Sequence, residues 1–316
     1  MDHVDILRRS LRLTWESKAL WLFGAILFLT GGGSFNIPRG GHTQWRFREG
    51  NLPSLPEGWQ ALLLGAACLI AILVIIGLIL KYVARTGLYR LIDEKLIYDR
   101  APEVRRGFAL GWDHRALRLF GIDLIIGVPL FLLALFIIAI ALSPLLLLLI
   151  DNAGARIFAI VLTVGLGLLA LLVLVIIGAL VGIWHQLVAR CAVLDDQSWS
   201  ESLRRGYALF IARWKDVLLM ALLMWGVAIG WGLVMIPVVI IVGLGALAAG
   251  GAPALLAMTL TGSRVAAWAV GLPIGLVTFL LPMAVIQGAY QAFHATVWTI
   301  TYRELAPAVD TIHPIG

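Results

Sequence analysis

The chain has 316 residues, of which 61% are hydrophobic and only 13% charged, with a net charge of +6. A soluble domain carries about 25% charged residues, so composition excludes an ordinary soluble enzyme or nucleic-acid-binding protein. It points to an all-α polytopic membrane protein whose basic residues face anionic lipid headgroups.

One stretch occurs three times: Leu7-Arg8-Arg9-Ser10-Leu11, Val104-Arg105-Arg106-Gly107-Phe108 and Leu203-Arg204-Arg205-Gly206-Tyr207. At about 100° per residue, the first copy sets Leu7, Leu11, Trp15, Ser10, Leu13 and Thr14 on one side of a helix. Arg8, Arg9, Arg12 and Glu16 take the other side. Such a helix is expected in the membrane interface, its apolar side toward acyl chains. Arg8, Arg9, Arg105, Arg106, Arg204 and Arg205 are then expected on headgroups, with no role for nucleic acid. Pro102 suits a first helical position, and Ser198 with Glu201 suits a capping box.

The first apolar span, residues 19–30, falls short of the roughly 20 residues a crossing needs. It copies a repeat element, so a cleaved leader is not expected. A polar loop over 31–60 follows, then a charge-free span at 61–80. The connector after it reads as a helix with Leu88, Leu91, Ile92 and Leu96 on a shared side. The third span covers 117–142 with Pro129, and 145–150 is a short apolar piece. The fourth covers 157–188. The fifth covers 217–244 with Pro237, ahead of a Gly- and Ala-rich loop at 243–263. The sixth covers 265–296 with Pro273 and Pro282. Gly165, Gly226 and Gly230 are expected where helices approach closely.

Val83-Ala84-Arg85 recurs as Val188-Ala189-Arg190 at the ends of the second and fourth spans. The organisation read from this is a single membrane domain over 1–316. It holds six transmembrane helices in three parallel repeats of amphipathic helix plus two spans, over about 1–100, 101–198 and 199–305. All Lys and Arg except Arg39, Arg46, Arg48, Arg156 and Arg264 fall on one side, expected to be cytoplasmic. Both termini lie on that side, in a bacterial inner membrane.

Intramembrane ionisable groups are the default functional candidates. Asp123 is expected to pair with Arg118 or Arg115, or to face a wet groove. His185 and Gln186 on the fourth span, with Gln287, Gln291 and His294 on the sixth, are expected to line a polar pocket at the basic end. Interhelical hydrogen bonding is the plainer role for them. Cys68 and Cys191 offer no disulfide framework, and no ligand spacing calls for a metal or cofactor. No catalytic motif is present. A lipid-modifying centre would rest on Asp123, His114 and Arg115 alone, and a bound pigment on His185. The function expected is a non-enzymatic scaffold, regulator or subunit, with a protein partner in the membrane or at its cytoplasmic face. The alternative is a transporter or permease-like subunit for a small solute or lipid.

The Arg-Arg stretches entering spans at Trp15 and Trp112 resemble a broad group of uncharacterised bacterial six-span membrane proteins. Arg190-Cys191-Ala192-Val193-Leu194-Asp195 with Ser200-Glu201-Ser202-Leu203-Arg204-Arg205-Gly206 is similar to the membrane domain attached to some bacterial glycerophosphodiester phosphodiesterases. Their catalytic barrel has no counterpart here, so the resemblance implies a membrane module without phosphodiesterase activity.

Overall fold

A computed structural model describes residues 2–31, 59–149 and 152–310. In chain order its helices are α1 (His3–Glu16), α2 (Lys18–Leu29), α3 (Trp59–Tyr98), α4 (Val104–Gly111) and α5 (His114–Leu142). A 3-10 turn (Ser143–Leu149) follows, then α6 (Ala153–Leu194), α7 (Trp199–Ala212), α8 (Trp214–Thr261) and α9 (Arg264–Asp310). Among the described residues, five stretches are long and apolar enough to cross a membrane: Ala67–Tyr98, His114–Leu147, Gly154–Leu194, Trp214–Thr261 and Arg264–Ala306. The expected first span appears as α2, only 12 residues long. Most of the expected 31–60 loop lies outside the described residues.

Local signals explain most helix ends. Asp2, Asp113 and Asn152 accept hydrogen bonds from the first turns of α1, α5 and α6. Ser198 and Glu201 form the expected capping box on α7. Pro102 does not open α4; Glu103 is its N-cap, and the helix starts at Val104. The largest departure is at 243–263, where a loop was expected. α8 instead runs unbroken through Pro237 and Pro253 to Gly262, whose φ of +63° ends it in the left-handed region.

Packing explains that continuity. A Cβ on Gly250 would sit 2.6 Å from the Gly271 carbonyl oxygen and 2.9 Å from the Gly275 Cα, so α8 and α9 touch backbone to backbone there. Close contact replaces the turn that composition alone suggests. Gly24 and Gly288 hold α2 against α9 in the same way, with a Gly24 Cβ meeting the Gly288 oxygen at 2.0 Å. The glycines expected in this role, Gly165, Gly226 and Gly230, have nothing within 4 Å of a would-be Cβ.

The three short helices carrying the Arg-Arg pairs lie against long ones: α1 on α9, α4 on α3, α7 on α6. Each presents small buried residues: Ser10 and Thr14, Gly107 and Gly111, Ser202 and Gly206. The side expected to face acyl chains is therefore divided. Its small residues meet protein, while Leu11, Trp15, Trp112, Tyr207 and Ile211 stay exposed.

The core is concentrated at one end. Leu20, Phe23, Leu88, Leu91, Ile92 and Leu119 are buried together there, and Leu187, Leu209, Trp298 and Tyr302 form an adjoining cluster. Toward the other end α3 parts from its neighbours. On α3, Leu69, Ile70, Ile72, Leu73, Val74, Ile75 and Ile76 are each 54–61% exposed, on every side of the helix.

Candidate functional site

Arg85 on α3, Asp123 on α5 and His185 on α6 meet where the packed end gives way to the open end. The Arg85 guanidinium donates to Asp123 Oδ2 at 3.1 Å and Oδ1 at 3.3 Å. His185 Nε2 lies 2.6 Å from Asp123 Oδ1, and the Tyr82 hydroxyl donates to Oδ2 at 2.9 Å. The three ionisable side chains remain 13%, 20% and 17% exposed, so the cluster is recessed but open. Lys81 caps it on α3, its ammonium 5.2 Å from the Tyr82 ring centre.

Behind this group lies Arg190 of α6, which is fully buried. It donates to the Gln186 carbonyl oxygen at 2.7 Å, to Gln186 Oε1 at 2.9 Å and to the Ala295 carbonyl oxygen at 3.2 Å. Its guanidinium stacks 4.6 Å from the centre of the Tyr89 ring, and Arg85 Nε donates to the Tyr89 hydroxyl at 3.0 Å. Among the described residues no carboxylate pairs with Arg190, and its Nε has no partner. Tyr89 thus stands between two guanidiniums, one paired with a carboxylate and one held by neutral oxygens.

The expected five-residue pocket divides in two. His185 and Gln186 belong to this network on α6. On α9, Gln287 accepts from Trp231 Nε1 at 3.3 Å. Trp231 stacks on Tyr290 at 5.1 Å, and His294 lies 6.5 Å from both the Tyr290 and Trp298 rings. Gln291 is half-buried on the same helix. Arg190 joins the halves through the Ala295 carbonyl oxygen. The Gln287 amide Nε2 is buried without a partner among the described residues. A separate groove of about 850 Å³ lies between the outer parts of α8 and α9, lined by Gly250, Ala254, Trp268, Gly271 and Phe279, with Arg264 the one charged residue among the described lining.

Asp123 does not pair with Arg118 or Arg115. Those side chains reach Asp196 instead, at 2.6 Å and 3.1 Å, and His114 joins them at 3.1 Å. The Asp123–His114–Arg115 grouping is therefore not assembled. Burial pushes the Asp196 carboxyl up, but the His114 hydrogen bond and the two guanidiniums together hold it below the usual carboxylate range. More ion pairs surround it. Arg303 clasps Asp93 with two bonds of 2.7 Å, Arg90 pairs with Asp113 at 3.0 Å, and Asp195 accepts from Tyr302.

The six headgroup candidates also divide. Arg8, Arg105 and Arg204 are exposed, and Arg9 is exposed while pairing with Asp5 at 2.6 Å. Arg106 pairs with Glu94 at 2.6 and 3.0 Å, and Arg205 lies 3.6 Å from Asp195.

Arg85, Arg190, Tyr82 and Tyr89 are not among the expected site residues; both arginines belong to the charges expected on the cytoplasmic side. The signal was the recurrence of Val-Ala-Arg at the ends of two spans, with Tyr82 and Tyr89 on the Arg85 side of α3.

These features define a multi-pass α-helical membrane protein with a charged network between its helices. Within that class, the chain belongs to the family described as "Family of unknown function (DUF7544)", whose model matches residues 8–312. No curated protein and no solved structure matches the chain.

Proposed function

We propose that this protein is a non-enzymatic subunit or scaffold of a bacterial inner membrane. It has six spans in three parallel repeats, and both termini are cytoplasmic. The observation that carries this reading is the one-ended packing. Ion pairs and buried side chains lock the basic end, while seven apolar residues between 69 and 76 on α3 stay exposed on every side of the helix. A span usually packs at least one face against protein, so α3 offers a surface to a helix of another protein. Exposed Arg8, Arg9, Arg105 and Arg204, beside exposed Trp15, Trp112 and Tyr207, suit anchoring in an anionic leaflet. Similarity to the membrane domain attached to some glycerophosphodiester phosphodiesterases fits a module that serves a separate catalytic partner.

The test replaces the exposed native Cys68 with Ser, places cysteine at Ile72 or at Leu88, and treats native membranes with a bifunctional maleimide. Crosslinking to a second protein from Ile72→Cys, and none from buried Leu88→Cys, is expected. No crosslinked protein from Ile72→Cys would sink the reading. A second reading, a transporter or permease-like subunit, draws on the Arg85–Asp123–His185 network between the helices. Solute flux in liposomes that disappears in Asp123→Asn would favour it.

A further inference from the structure

We propose that Lys81, Arg85 and His185, with the buried charge of Arg190 behind them, form the head of a binding site for one anionic membrane lipid, held between α3, α5 and α6. The chemistry recognised is a phosphate group, and the lane leading to it assigns that phosphate to a lipid. This goes beyond the scaffold and transporter readings and requires neither.

The first observation is charge. Lys81, Arg85 and Arg190 bring three cations, and Asp123 is the one carboxylate ion-paired with any of them among the described residues. Arg190 is fully buried with an unpartnered Nε, and Lys81 rests on the Tyr82 ring without a carboxylate. A cationic surplus at the edge of the hydrocarbon is unfavourable unless an anion joins it. Arg85, Asp123 and His185 retain partial exposure, so an anion has access.

The second observation is space, and it is independent of the first. Gly77 lies one turn before Lys81 and two before Arg85 on α3. Gly127 lies one turn after Asp123 on α5, and Gly178 and Gly182 lie two turns and one turn before His185 on α6. A Cβ on any of these four glycines would meet nothing within 4 Å. Because α5 runs opposite to α3 and α6, all four lie on the apolar side of the charged cluster. The flanking Leu78, Ile79, Leu124 and Val128 are exposed. A phosphate beside Lys81 and Arg85 would therefore have its acyl chains run along apolar, unobstructed helix surface. A free phosphate ion has no use for that lane.

The experiment uses the full chain, purified in mild detergent and mixed with vesicles of equal phosphatidylglycerol and phosphatidylcholine. Native mass spectrometry then reads the retained lipid. One phosphatidylglycerol per chain, in preference to phosphatidylcholine, is expected. Lys81→Gln should weaken retention on the order of fivefold, the value of one basic residue near an anionic headgroup. Gly127→Leu and Gly178→Leu fill the lane where a side chain meets nothing, so retention should be lost while the thermal unfolding midpoint is unchanged. Equal retention of the two lipids overturns the proposal, as does full retention in the leucine variants. Displacement of the lipid by millimolar inorganic phosphate would overturn the lipid assignment and make the ligand a soluble anion. The crosslinking from Ile72→Cys is read separately, so either idea can fail alone.

Discussion

Asp123 has Arg85, His185 and Tyr82 around one carboxylate, which makes it the residue whose loss leaves the most behind. Asp123→Asn strands the Arg85 guanidinium, which is only 13% exposed. Breaking a buried pair costs about 3–5 kcal/mol, and the 20% exposure of Asp123 places this one toward the low end. A fall of several degrees in the thermal unfolding midpoint in detergent is the expected result; an unchanged midpoint would show that the pair contributes nothing to the fold. Asp196 makes a different prediction. Its carboxyl is held below the usual range in the folded protein, so its contribution is present above the ordinary carboxylate value and is lost as pH falls through the lowered one. The midpoint should drop as pH falls below about 4, and Asp196→Asn should drop less over the same interval. Asn also tolerates the φ of +55° found there. Parallel curves for the two proteins would remove Asp196 from the acid response.

Among the helices, glycine position decides what a methyl group does. A Cβ on Gly288 would lie 2.4 Å from the Trp21 carbonyl oxygen, and that atom is backbone and cannot swing aside. Gly288→Ala should destabilise by about 1–3 kcal/mol, the usual cost of overpacking. Gly226→Ala meets open space and should gain about 0.5–1 kcal/mol from helix propensity. Thermal unfolding of the pair checks both signs, and equal midpoints would refute the contact. The same two glycines show how far the sequence could be read. Hydropathy located the long helices because 20-residue apolar runs have few alternatives. Helical phase located α1, and helical phase with the Ser198–Glu201 capping box located α7. Neither distinguishes Gly288 from Gly226, since a contact belongs to two helices and the chain shows one at a time. The loop expected at 243–263 failed for that reason: its glycines are helical because α9 lies against them. Arg190 was misplaced likewise. Next to a polar connector it reads as a surface charge, and only the packing of α3 and α9 around it makes it interior.

At the scale of the molecule, ion pairs across distant parts of the sequence tie the packed end together. Arg303–Asp93 joins the last helix to α3, and Asp196 joins the end of α6 to α5 through Arg118. Opening of the structure should therefore start at the other end. Hydrogen exchange in detergent should be fast at 69–76 of α3 and slow at 82–92 of the same helix, where Tyr82, Leu88, Leu91 and Ile92 are buried. Uniform exchange along α3 would contradict the one-ended architecture.

The 48-residue α8 and its partner α9 carry a further consequence. At 1.5 Å per residue α8 is about 72 Å long, more than twice the roughly 30 Å of a hydrocarbon core. Its far end is not suited to water: Leu255, Leu256 and Leu260 are exposed beside Val265 and Trp268. To keep those side chains in oil, the hairpin must lean steeply or gather a thicker collar of lipid around itself. Because the Gly250–Gly271 contact makes α8 and α9 move as one rod, its inclination becomes a gauge of bilayer thickness. Longer acyl chains would stand it upright and shorter ones would lay it down.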